Sequence, residues 1–219
     1  MKKLFFASVA ALLAAAWAQT SAASDLKSEI SKIESVNSSW NDISADFEQK
    51  TFIALLGKSV AKKGSMHLKK GGKFRIEYKG DDPKVYLCDG STIWIFIPGD
   101  GSSLQTYAVG DKSIPKEALS FLSGFGAISK EFKVGESASF PKRKDGEIAL
   151  ALEPKKKSAH YRSLEVLFSK DGIIREMIVH NESGNRSHYI LASIKMNLNP
   201  SDDDFTLSSG KATPDTLPQ

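Results

Sequence analysis

The stretch from Lys69 to Pro98 constrains the fold more than any other part of the chain. It holds three strand-like runs, Lys73–Lys79, Lys84–Cys88 and Thr92–Ile97. Between them lie the turn clusters Gly80-Asp81-Asp82-Pro83 and Asp89-Gly90-Ser91. Asp-Gly between apolar runs marks a tight hairpin, because such turns need residues that tolerate positive φ. The first run alternates. Phe74, Ile76 and Tyr78 fall on one face, and Lys73, Arg75, Glu77 and Lys79 on the other. An antiparallel meander with one wet, basic face and one aromatic, apolar face follows. The Thr92–Ile97 run is apolar on both faces, so alternation leaves open which face lines the interior.

The rest of the chain extends this pattern. Ser24 can cap a helix with Leu26, Ile30, Ile33 and Val36 on one side. Asn37-Ser38-Ser39 ends it, and Ile43–Thr51 alternates as a strand. Ser59–Leu68 is a weaker strand carrying Val60, Met66 and Leu68, and Leu104–Val109 closes the first series. Pro115–Leu122 then breaks the alternation. It opens with proline at a helix N1 position and ends at Ser123-Gly124-Phe125-Gly126. Strand character resumes at Ile148–Leu152, Leu164–Phe168, Ile173–His180, Ser187–Met196 and a last short run, Phe205–Leu207. Lys211–Gln219 reads as a disordered tail.

These elements predict an α+β fold, with ten or eleven antiparallel strands in one domain over residues 24–210. Eight strands closed into a barrel leave a space that side chains just fill. Ten or eleven curl around a wider one. Either the sheet stays open and a helix fills the gap, or a cavity remains. The short segment at 115–125, loosened by Gly124 and Gly126, suits a lid better than a permanent plug, the alternative being a helix packed rigidly into a dry core.

Composition narrows the function. Lys2 and Lys3, an apolar run from Leu4 to Trp17 and small residues through Ala23 form the pattern of a cleaved secretory signal, ending at Ala23 or Ala18. The apolar run is shorter than the ~20 residues a spanning helix needs. Cleavage at Ala23 leaves 28 basic against 26 acidic residues, too slight an excess to suggest nucleic acid. Cys88 is the single cysteine, excludes an internal disulfide and reads as a buried thiol. No Gly-x-Ser-x-Gly elbow or Walker loop occurs, and His67, His160, His180 and His188 lack zinc-ligand spacing. Neither an enzyme, a metal site nor a cofactor is expected.

The order of several motifs resembles the periplasmic outer-membrane lipoprotein carrier (LolA) family. They are Ala45-Asp46-Phe47-Glu48-Gln49, Phe74-Arg75-x-Glu77-Tyr78, Asp89-Gly90 with Trp94 and Pro98, the Pro115 insert and Phe205-x-Leu207 before Gly210. The resemblance implies an incomplete β-barrel closed by the N-terminal helix and a helical lid, around an apolar cavity for lipoprotein acyl chains, lined here by Phe47, Met66, Phe74, Ile76, Tyr78, Leu119, Leu122 and Phe125. It implies loading by an inner-membrane lipoprotein-releasing ABC transporter. It further implies delivery by a monomer to an outer-membrane receptor or to the outer membrane itself. Lys70 stands where the family has an arginine that latches the lid. Gly71 replaces the family's following proline, and Ile76 a frequent tryptophan. A lipid-responsive sensor or structural module of the same fold, regulating envelope stress signalling, is the alternative.

Overall fold

The computed structural model describes residues 26–109, 128–141, 143–158 and 161–207. Eleven strands form one antiparallel sheet. They are β1 (Asp42–Ile53), β2 (Lys58–Lys69), β3 (Lys73–Lys79), β4 (Lys84–Asp89), β5 (Thr92–Ile97), β6 (Asp100–Ala108), β7 (Phe132–Glu136), β8 (Ile148–Pro154), β9 (Ser163–Phe168), β10 (Ile174–His180) and β11 (Arg186–Met196). The spatial order is β6-β5-β4-β3-β2-β1-β11-β10-β9-β8-β7. Two meanders, β1 to β6 and β7 to β11, are thus joined through the β1–β11 pair at the centre. The sheet is open, with β6 and β7 as its edges. Among the described strands, these two edges are consecutive in sequence.

The expected incomplete barrel is what the chain forms. Two details differ. Phe205–Leu207 is not a strand: Asp202–Phe205 forms a 3-10 turn capped by the Ser201 hydroxyl. Phe205 is buried there, its ring 5.6 Å from that of His67. Asp202, at the start of this turn, is held by Lys69 and Lys73, both at 2.6 Å. The other difference is β7, which the sequence reading passed over. It is five residues long, contains Gly135 and lies on an edge, so its alternation is short and only Phe132 is buried.

The N-terminal helix, α1, covers residues 26–39, and a single helical turn, Ile128–Glu131, precedes β7. Ile30 and Ile33 enter the same apolar cluster as the sheet's inner face, and Leu26 packs against it. Three ties hold α1 across both meanders. Lys32 donates to the Lys170 carbonyl, Glu34 accepts from the Ser129 amide at 2.7 Å, and Lys70 donates to the Ser38 carbonyl at 2.7 Å. Gly172, at φ 79°, makes room for the helix, since a Cβ there would stand 3.2 Å from Val36 Cγ2.

Candidate functional site

Cross-strand register assembles the site. Successive side chains on a strand point to opposite faces, so residues paired across strands share a face. One row runs Leu68–Phe74–Cys88–Ile93, and the next Ala45–Met66–Ile76–Tyr86–Ile95. A third joins Leu191, Phe47, Gly64 and Tyr78. The second meander supplies matching rows, Leu150–Val166–Met177–Tyr189 and Leu152–Leu164–Val179. All of these apolar residues belong to one contiguous cluster on the concave side.

That cluster decides which face of β5 is internal. Ile93 and Ile95 join Phe74 and Ile76, whereas Phe96 packs with Val85 and Leu87 on the convex side, beside Trp94 and Leu207. Alternation could not distinguish the two faces because both are apolar.

Of the sequence-predicted lining residues, Phe47, Met66, Phe74, Ile76 and Tyr78 come together on the concave face. Leu119, Leu122 and Phe125 lie outside the described residues. Lys70 lies at the carboxyl end of α1, where its ammonium meets the Ser38 carbonyl. Sequence reasoning missed Tyr86, Ile93, Ile95 and the whole contribution of β8 to β11. The alternation in Ile148–Leu152 and Leu164–Phe168 carried that signal. It could not say that those faces met the Phe74 face, because the β1–β11 pairing is long-range.

The concave face is well packed. Phe74 is 0% exposed, and the aromatic rings interlock. Phe47 meets Tyr78 edge-on with centroids 5.2 Å apart, and Tyr78 meets Tyr86 at 5.9 Å. Gly64 is required under Phe47. A Cβ there would come within 2.5 Å of Phe47 Cζ and fall on the Glu77 carbonyl oxygen. An apolar cavity of about 50 Å³ lies between the end of α1 and the sheet, bordered by Val36, Trp40, Met66, Leu68, Ile174 and Leu191.

At one end of the barrel this face becomes polar. The Tyr78 hydroxyl donates to Gln49 Oε1 at 2.8 Å, Gln49 Nε2 donates to Thr51 Oγ1 at 2.9 Å, and the Thr51 and Ser187 hydroxyls are 3.0 Å apart. Lys62, Lys84, Val60 and Tyr86 join this mouth around a recess of about 240 Å³. Lys62 also sits 5.7 Å above the Tyr78 ring and pairs with Asp82 at 2.5 Å.

Three further polar groups have structural tasks. Burial pushes the Cys88 thiol upward in pKa, which keeps it protonated and inert. Asp89 Oδ1 accepts from the amides of Ser91 and Thr92, both at 2.8 Å, and so fixes the Asp-Gly turn. Gly90 takes φ 100° there. Burial raises the Asp42 carboxyl, but the Asn199 amide, His67 and the Leu198 amide together outweigh it and hold the group below its ordinary range. Its two oxygens thereby bind residues 198 and 199 to the start of β1. Among the described residues, no three His, Cys, Asp or Glu side chains gather as a metal site would require.

A sequence model described as outer membrane lipoprotein carrier protein LolA matches residues 38–208. The outer-membrane lipoprotein carrier protein of Chromobacterium violaceum is 28% identical over 201 residues, covering 90% of this chain and 89% of that one. The protein of the same name from Pasteurella multocida is 25% identical over 184 residues, covering 84% and 80%. A solved LolA superfamily protein from Nitrosomonas europaea aligns over 82% of this chain and 96% of its own, with 11% identity and a TM-score of 0.46.

Proposed function

The chain belongs to the outer-membrane lipoprotein carrier (LolA) family, and from that membership we propose that it carries acylated lipoproteins through the periplasm, acyl chains held against the concave face. The observation that carries this reading is the single apolar cluster lining that face, drawn from both meanders and from α1. Each acyl methylene removed from water is worth roughly 0.8 kcal/mol. A chain in transit therefore needs an enclosed apolar surface, and no catalytic group is required.

Among the described residues the concave face is closely packed. The apolar recess beside α1, about 50 Å³, holds a water molecule or two, far less than an acyl chain. Loading must part side chains that now touch one another. The ties of α1 to Lys70, Lys170 and Ser129 bridge both meanders and are the polar contacts that such an opening would strain. Phe47, Met66, Phe74, Ile76 and Tyr78 then exchange protein contacts for acyl contacts. The wet mouth at Gln49, Lys62 and Tyr78 faces the polar end of the cargo.

The chain has no nucleotide-binding loop, so direction comes from its partners. These are an inner-membrane lipoprotein-releasing ABC transporter on one side and an outer-membrane receptor, or the membrane itself, on the other. The N-terminal segment delivers the protein to that compartment and is removed near Ala23, which the intact mass of the native protein checks. The functional test is binding of a triacylated lipopeptide, with the unacylated peptide as control. A complex with the acylated form alone is expected. Equal binding of both, or of neither, overturns the reading.

A further inference from the structure

The β1–β2 hairpin extends beyond its neighbour on the β3 side. β2 pairs with β3 only from Lys63 onward, so its residues 58–62 extend past the end of β3 by about 17 Å at ~3.4 Å per residue. At the tip the chain turns through Ala54–Leu56 and Gly57, whose φ of 60° suits a residue without a side chain. Leu55 is 93% exposed and Leu56 61%. Phe52 and Val60 are exposed immediately behind them. Four of the large apolar side chains that the described residues expose therefore sit within nine positions of one ribbon end.

Within the ribbon itself the charges have one sign. From Lys50 to Lys63 the chain carries Lys50, Lys58, Lys62 and Lys63 and no acidic residue. Lys58 and Lys63 are exposed. Lys50 leans on Glu48 and Lys62 on Asp82. The flanking β10–β11 turn adds Glu182 and, opposite Phe52, Arg186. Asn185 of that turn accepts the Ala54 amide at 3.0 Å, so the ribbon end is braced from one side. An apolar point behind a basic collar is complementary to an anionic bilayer, where leucines enter the acyl boundary and lysines meet headgroup phosphates. A protein partner suits it less. A narrow convex ribbon end offers little of the roughly 1,000 Å² that a specific protein interface buries.

We propose that the β1–β2 hairpin tip inserts into the surface of an anionic phospholipid bilayer and docks the mouth of the concave face against it. Val60 and Lys62 belong both to the hairpin and to that mouth, so insertion of Leu55 and Leu56 brings the opening to the headgroup layer. The inference rests on the carrier reading for its purpose, and it assigns that carrier a membrane-contact element of its own.

The test is co-sedimentation of the purified protein with vesicles of phosphatidylethanolamine and phosphatidylglycerol, against vesicles of phosphatidylcholine. Wild type should bind the anionic vesicles, less so at high salt. The double variant Leu55→Glu, Leu56→Glu should lose about tenfold or more in partitioning. Leu104→Glu, an exposed leucine on the edge strand β6, should bind like wild type. Thermal melts establish that each variant is folded. Separately, Leu55→Trp should shift its emission to the blue on anionic vesicles. Vesicle binding that is absent, or equal in wild type and the double variant, overturns the proposal, as does an unshifted Leu55→Trp emission. Triacylated lipopeptide binding without vesicles should be the same in wild type and the double variant. A protein that binds the lipopeptide but not the vesicles leaves the carrier reading standing and removes the tip. Tip-dependent vesicle binding without lipopeptide binding does the reverse.

Discussion

Phe74 and Phe96 make a matched pair that separates cargo surface from ordinary core. Both rings are buried, at 0% and 1% exposure, and they lie two strands apart on opposite faces of the sheet. Phe74 belongs to the concave cluster, and Phe96 packs with Val85 and Leu87 on the convex side. Truncating either to alanine should destabilise the lipid-free protein by about 3–5 kcal/mol. At roughly 2–4 °C per kcal/mol for a domain of this size, each melt should fall by about 6–20 °C. The variants should part company on binding. Cargo must displace the closed concave packing, so apparent affinity is reduced by the small fraction of open protein. Phe74→Ala weakens the closed state specifically. Each 1.4 kcal/mol released in this way is worth about tenfold, so a fluorescent acyl probe should bind about tenfold tighter or more, after the lost ring contact. Phe96→Ala should leave probe affinity unchanged. Titration of both variants beside wild type reads this directly. Unchanged affinity in Phe74→Ala, or an equal change in both, would refute the assignment of the concave face as the cargo surface.

Three further outcomes follow from the geometry. Gly64→Ala should destabilise by more than the roughly 1–3 kcal/mol of ordinary overpacking, because the Glu77 backbone as well as the Phe47 ring obstructs the new Cβ; chemical denaturation measures it, and a neutral result contradicts the packing described. Asp42 titrates below its usual 3.8 in the folded state, so its contribution is present above that value and disappears as pH falls through the folded pKa. Asp42→Asn should therefore lower the melting temperature at neutral pH and lower it progressively less from about pH 4 downward; a constant deficit at every pH would show that the charge is not responsible. Asp202 is held down to about 2 by hydrogen bonds first from Lys69 and then from Lys73, so the anchoring of the Asp202–Phe205 turn should loosen on acidification between about pH 4 and 2. Amide exchange at Asp204 and Thr206, which donate to Ser201 and Asp203, would report it, and exchange independent of pH after correction for intrinsic rates would exclude the lysine clamp.

Much of this architecture was legible in the sequence. Alternation at Phe74, Ile76 and Tyr78, with Asp89-Gly90 as the turn, determines a meander and the inward side of β3, because both are properties of neighbouring residues. The strand count implied an interior wider than side chains of a small barrel would fill. The motif order implied the family. Three things escaped. The short edge strand β7 offers too few alternating positions to register as a strand. Phe205–Leu207 alternates like a strand, yet the Ser201 cap and the Lys69 and Lys73 clamp on Asp202 fold it into a turn. On β5 both faces are apolar, so only packing could choose between Ile93 and Trp94.

The sequence by itself determined the strands, the turns and which residues of most strands share a face, since these depend on spacing along one chain. Tertiary structure alone decided that the Phe74 face meets the Met177 face, that α1 is tied to both, and that Leu55 and Leu56 are exposed at the end of a hairpin. Those facts depend on the β1–β11 pairing and on where β3 stops along β2. Both are long-range register choices, set by the free energy of burying two remote faces against each other, and local pattern carries no record of that partnership.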